Sequence, residues 1–277
     1  MGISFASFAK IYEKVVSLMQ KEDIKFEGST VLEGMTSLRA LLAAREEGIN
    51  DRPIQRVFYN AEREKKIGKE LGYLRAIGKR DGFPVLPVSA EEIDRMALGT
   101  SHGGILAECG ERTLLQLKDA RERIVPNGFY VMLQGIEDPY NFGYALRSLY
   151  ACGADGIILD ERTWLSAAGV VARASAGASE RFAAYVSDPL ETTDIFHELG
   201  YRIVCADERT DEVLHRADLK KPILLIVGGE RRGISRALVD KADLLVKISY
   251  GRPFAASLSA ASASTILGYE IFRQNGE

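Results

Sequence analysis

The chain has 277 residues, 46% of them hydrophobic and 27% charged, with a formal net charge of −3. That length suits one large domain or two of ordinary size, and two are expected; no apolar run approaches the roughly 20 residues of a membrane helix. The charge excludes any whole-protein attraction to nucleic acid, so an argument for RNA must rest on local charge.

The first residues, Met1 to Lys10, have no basic leader followed by an apolar block, so they do not read as a secretion signal and a cytoplasmic protein is expected. Cys109, Cys152 and Cys205 lie far apart without zinc-type spacing and read as buried free thiols. His102, His197 and His215 are the only histidines, which leaves few members for a metal centre or a Ser/His/Asp triad. Neither is expected.

In chain order, Phe5, Phe8, Ile11, Tyr12, Val15, Val16 and Met19 fall at helical spacing and predict an amphipathic helix over 4–20. Leu32, Met35, Leu38, Leu41 and Leu42 predict a second over 30–46, with Gly48 beyond its end. A short strand at 57–59, a charged helical stretch at 61–80, a strand at 83–88 and a helix from Ser89 or Ala90 complete a small α/β unit. Ser89 and Glu92 have the spacing of a capping box, so they need no catalytic explanation. Between Arg52 and Arg80 nine basic residues face three acidic ones, a local charge of +6. A solvated helix face is the ordinary explanation and RNA backbone contact the sharper one. Ser101-His102-Gly103-Gly104 reads as a loop that orders the junction between domains, and Pro126 to Gly128 marks the boundary.

An apolar run, Phe129 to Leu133, then meets a turn at Gly135 to Asn141, a helix carrying Arg147, Gly153, and a second apolar run, Ile157 to Leu159. This is the pattern of a β-α-β unit, and its first loop holds Glu137, Asp138, Asn141 and Gly143. Loops at the carboxyl ends of parallel strands are where α/β proteins place their chemistry. On its own the unit is equally a structural one, with Asn141 as a helix cap and Arg147 in a surface ion pair. A helix at 164–175, a strand at 183–186, a helix at 191–199 and a strand at 202–206 follow. The apolar strand 222–227 runs into Gly228-Gly229-Glu230-Arg231-Arg232-Gly233, before a helix at 235–239, a strand at 244–248, a loop at 249–256 and a final helix at 257–272. The glycine loop is neither G-x-G-x-x-G nor a Walker sequence, which weakens the case for a nucleotide-dependent oxidoreductase on a doubly wound sheet.

Three segments together resemble the SpoU/TrmH family of RNA methyltransferases, within the SPOUT superfamily. They are Glu137 to Gly143 with Arg147 and Gly153 to Gly156; Ile226 to Ile234; and Ile248 through Ser257-Leu258-Ser259. Ser175 to Ala178 resembles the small-residue segment between the family's motifs, and His102 to Ile105 the segment closing its ribosomal-protein-L30e-like domain. The resemblance implies an α/β protein with a C-terminal SPOUT-type parallel sheet containing a trefoil knot, plus a smaller N-terminal L30e-like α/β domain. It divides the chain into a helical extension (1–27), an L30e-like RNA substrate-binding domain (28–108), a linker (109–124) and a methyltransferase domain (125–277).

By the same resemblance the activity is transfer of methyl from S-adenosylmethionine to a ribose 2′-hydroxyl of ribosomal or transfer RNA, by a homodimer without metal. Arg147, Asn141 and Glu230 would be catalytic, and Gly228, Ile248, Leu258 and Ser259 would hold the cofactor. The chain departs from the family pattern in its third motif, where Ser259 stands for the usual Asn and Ser249 for the usual Pro. Asn offers a donor and an acceptor, Ser a shorter reach with one hydroxyl. A protein that keeps the fold and binds RNA without turnover is therefore the competing expectation.

Overall fold

The structure, a computed structural model, describes residues 30–160 and 167–276. The helix expected at 4–20 and the first residues of the one expected at 164–175 lie outside them.

The first unit is a four-stranded sheet in the order β1-β4-β2-β3. β1 (Thr30–Glu33) and β2 (Ile54–Asn60) run antiparallel to β4 (Ile105–Cys109), and β3 (Val85–Val88) runs parallel to β2. Helices α1 (Gly34–Glu46), α2 (Gly68–Asp81) and α3 (Ala90–Met96) complete it. The helix expected from residue 30 therefore starts later: Leu32 pairs with Ala107 in the sheet, and Gly34, at φ 74°, turns strand into helix. Burial alone did not distinguish the two, because Leu32 is core in either geometry. Likewise the charged stretch 61–80 opens as a 3-10 turn, Ala61–Arg63, and becomes α-helical at Gly68, where Leu71, Leu74 and Ile77 supply a buried stripe. The capping box forms as expected, Ser89 Oγ accepting from the Glu92 amide at 3.2 Å and Glu92 Oε2 from the Ser89 amide at 2.7 Å.

The second unit is a seven-stranded parallel sheet in the order β11-β9-β10-β6-β7-β8-β5. Its strands are β5 (Leu115–Gln116), β6 (Phe129–Gln134), β7 (Gly156–Leu159), β8 (Ala183–Val186), β9 (Arg202–Ala206), β10 (Ile223–Gly228) and β11 (Leu244–Val246). The central pair, β6 and β10, consists of near-continuous buried apolar runs, as covering both faces of a parallel sheet requires. Phe129, Val131 and Leu133 join the core shared with α4 (Pro139–Ala151), α5 (Ala168–Ala174) and α9 (Ala260–Asn275). Tyr130 and Met132 face the opposite core, with α7 (Pro189–Glu198) and α8 (Arg236–Val239).

The stretch read as a linker does structural work in the large sheet. It supplies β5 at the sheet edge, and Leu117, Ala120 and Ile124 are buried. The two units also meet directly through α6 (Ala178–Arg181), whose Glu180 accepts from Arg52 Nε at 2.9 Å and from Asn50 Nδ2 at 2.8 Å. Arg112 donates to the carbonyls of Ile49 at 2.9 Å and Phe182 at 2.7 Å. Of the cysteines, Cys109 and Cys205 are buried, and burial pushes both thiols up to about 12; Cys152 is only half-buried.

Candidate active site

β6 and β10 are neighbours in register, Gln134 opposite Gly228, so the loops that follow them leave the same edge of the sheet. After β6, Asp138 caps α4 by accepting from the Tyr140 amide at 3.0 Å, with Pro139 in the first turn. The cap is thus Asp138, which leaves Asn141 free for other partners. After β10, the Gly229 amide donates to the Gln134 carbonyl at 2.7 Å and the Gly233 amide closes the loop on the Gly229 carbonyl at 2.8 Å. The two loops touch so closely that a β-carbon on Gly229 would lie 2.1 Å from the Gly135 oxygen. Only glycine fits there.

That contact aims Glu230 between two hollows. Its Oε1 accepts from Asn141 Nδ2 at 3.3 Å and from the Ala260 amide, at the start of α9, at 3.3 Å. Two of the segments singled out in the sequence, and the residue that follows the third, therefore converge on one carboxylate. On one side lies a hollow of about 180 Å³ lined by Gly135 to Asp138, Asn141, Glu230, Arg231 and Ala260. On the other is a cavity of about 590 Å³ whose wall includes Val227, Gly228, Ile248 and Leu258.

Arg147 is not brought to this pair. It sits six residues beyond Asn141, about 600° around a helix turning roughly 100° per residue, and so on another face of α4. It is exposed and makes no ion pair among the described residues. Ser259 lies outside the lining of both hollows: it caps α9, its Oγ accepting from the Ser262 amide at 3.2 Å. His102 is buried in the first unit, its Nδ1 accepting from the Gly104 amide at 3.1 Å and its Nε2 3.2 Å from Asp94, which makes it a loop-ordering residue.

The larger cavity also has members that the sequence reading passed over: Asp207, Glu208, Arg209, Lys247 and Tyr250. The Arg209 guanidinium, 2.6 Å from Asp207, holds that carboxyl below the usual carboxylate range. Asp207 immediately follows β9, a carboxyl-terminal strand end, and that position was the available signal. Tyr250 closes the wall, its hydroxyl accepting from the Leu258 amide at 3.3 Å. Among the described residues no group of three His, Cys, Asp or Glu side chains is placed to hold a metal, and no helix is long and apolar enough to cross a membrane.

Comparison with known proteins bears on the whole arrangement. Residues 128–269 match the SpoU rRNA Methylase family. The chain is 30% identical over 202 residues, 72% of its length and 80% of the relative's, to YacO of Bacillus subtilis, named for the TrmH family of tRNA/rRNA methyltransferases. It is 28% identical to the 23S rRNA (guanosine-2'-O-)-methyltransferase RlmB of Shewanella oneidensis, over 92% of this chain and 97% of that one. Its fold superposes on the AdoMet-bound rRNA methyltransferase from Sinorhizobium meliloti with a TM-score of 0.74 at 23% identity, covering 98% and 97% of the two chains. With the motif segments gathered at the carboxyl edge of a parallel sheet and the family matched across them, the chain belongs to the SpoU rRNA methylase family.

Proposed function

We propose that the protein transfers a methyl group from S-adenosylmethionine to a ribose 2′-hydroxyl of ribosomal or transfer RNA. The observation that carries this reading is the convergence of Asn141, Glu230 and the Ala260 amide between a small open hollow and a larger cavity. The larger cavity fits the cofactor: about 590 Å³ is an ordinary small-molecule volume. Val227, Ile248 and Leu258 offer an apolar wall for adenine, Gly228 brings backbone close, and the carboxylates of Asp207 and Glu208 suit hydroxyls and an ammonium. When bound, S-adenosylmethionine supplies an electrophilic methyl on a sulfonium.

The chain's own residues then have to position a weakly acidic hydroxyl in line and stabilise the charge that develops on its oxygen. Glu230 fixes the Asn141 amide and the head of α9 relative to each other, and so orients both walls of the site. Arg147, through its cationic guanidinium fork, stabilises the forming alkoxide or holds the adjacent phosphate. Ser259 serves the cofactor through the helix that it caps.

This assignment of Arg147 goes with a homodimer, which the exposed surface around it supports. The residue stands on a face with Tyr144 (48% exposed), near α9, which displays Tyr269 (58%) and Phe272 (45%). α4 and α9 are joined there, Thr265 Oγ1 donating to Ser148 Oγ at 2.7 Å. Apolar surface of this extent ordinarily faces a partner, and a second copy would carry Arg147 to the neighbouring site. The path from β11 to α9, which packs back on α4, supports the knotted topology expected of the family. Residues 28–108 are assigned as the RNA substrate-binding unit, and RNA as substrate supports work in the cytoplasm.

Labelled methyl transfer from S-adenosylmethionine to total RNA from cells lacking the protein tests the reading. Wild type should label RNA and Arg147→Ala should not. Binding of both RNA and S-adenosylmethionine without any transfer would instead favour a protein that recognises RNA without turnover.

A further inference from the structure

The loop from Ser249 to Ser257 is exposed along its whole length. It nevertheless carries two aromatic rings, Tyr250 at 40% and Phe254 at 61% exposure, whose centroids lie 6.0 Å apart at an interplanar angle of 68°. Tyr250 is anchored: it lines the 590 Å³ cavity, and its hydroxyl is tied to the Leu258 amide. Phe254 is not among the lining residues and is held against the Tyr250 ring. Exposed Arg252 stands between them in sequence, and Arg231 and Arg232 line the same cavity.

An uncovered aromatic pair contiguous with a cofactor cavity and accompanied by three exposed arginines has a specific complement. A single-stranded nucleotide offers a π face for the ring and a phosphate for the guanidinium. A second copy of this chain is a poorer one, because the surface displayed by α4 and α9 offers exposed rings, Tyr144, Tyr269 and Phe272, and no phosphate for the guanidinium. We propose that the Tyr250–Phe254 pair is a stacking platform for a nucleobase of the RNA beside the reacting ribose, with Arg252 meeting its phosphate. This rests on the methyl-transfer reading and adds to it a residue, Phe254, that selects unpaired over duplex RNA, since a base buried in a helix has no free face.

The test is methyl transfer from labelled S-adenosylmethionine to total RNA from cells lacking the protein, with wild type, Phe254→Ala, Phe254→Leu and Phe254→Trp. The RNA concentration giving half-maximal rate should rise about tenfold in the Ala and Leu variants and return to within about twofold of wild type in the Trp variant, the scale of one stacked base. S-adenosylmethionine affinity by calorimetry and mass by sedimentation should stay unchanged in all four. An Ala variant with wild-type RNA dependence, or a Leu variant that rescues as well as Trp, overturns the platform. So does a parallel loss of S-adenosylmethionine affinity, which would give the pair to the cofactor, or a changed mass, which would give it to a second copy. A wild type that labels no RNA removes the methyl-transfer reading itself, an outcome distinct from all of these.

Discussion

Arg52 donates from Nε to Glu180 across 128 residues of sequence at 2.9 Å, with only 6% and 4% of the two side chains exposed. Asn50 shares the same carboxylate oxygen, and Arg52 Nη1 continues to the Gly110 carbonyl at 2.9 Å. Glu180→Ala would leave the buried Arg52 guanidinium without its carboxylate, while Asn50 Nδ2 keeps only the Glu180 carbonyl at 3.0 Å. The expected loss is about 3–5 kcal/mol, measured by denaturant unfolding. A loss under about 1 kcal/mol would mean that the network adds nothing to the docking of the two units.

The separation of Arg147 from the Asn141–Glu230 pair within one chain leads to a mixing experiment. Arg147→Ala and Glu230→Ala are each expected to lose methyl transfer by at least about 100-fold, the scale of removing one electrostatic or positioning group. Mixed after subunit exchange, they should recover about a quarter of the wild-type rate, because half the dimers pair one of each and one of their two sites is intact. No recovery on mixing would mean that Arg147 serves its own chain.

Ser259 caps α9 through the Ser262 amide, and Asn is an equally good cap. Ser259→Asn is expected to melt with wild type and to transfer methyl no more slowly. Ser259→Ala should lose about 1 kcal/mol of stability and, through the loosened helix start, part of its S-adenosylmethionine affinity. If affinity holds while stability falls, the residue's contribution to the cofactor is nil and its role is the cap alone.

The β-α-β unit was legible because its first apolar run ends at Gly135 and its helix at Gly153, both at positive φ, and because both flanking strands are buried on two faces. β4 was not, since Glu108 interrupts its apolar pattern. That carboxylate is buried only because Arg56 lies opposite it on β2, a pairing invisible along the chain. The basic segment shows the same effect: Arg52, Arg56, Arg75 and Arg80 are matched by Glu180, Glu108, Glu64 and Asp81, three of which lie outside the 52–80 window. Arg63, Lys65, Lys66, Lys69 and Lys79 are left without an ion pair among the described residues, so the surface charge there is well below the sum along the sequence. At the site, Glu230 and Asn141 stand out by motif and Tyr250 lies within the third motif segment, whereas Asp207 reaches the cavity only through the order of the strands.

The docking of the units has a consequence for how this enzyme can be altered. At Gly169 on α5, a β-carbon would lie 2.4 Å from the Val31 carbonyl oxygen, so the backbone of one unit lies directly against the backbone of the other. Side-chain interfaces tolerate exchange by repacking; a backbone contact of this kind does not. The N-terminal unit is therefore not an interchangeable adaptor. A chimera that grafts a different recognition unit onto the catalytic sheet would have to bring its own counterparts of α5 and α6, and redesign of specificity is better directed at surface residues within the existing pair of units than at swapping one of them.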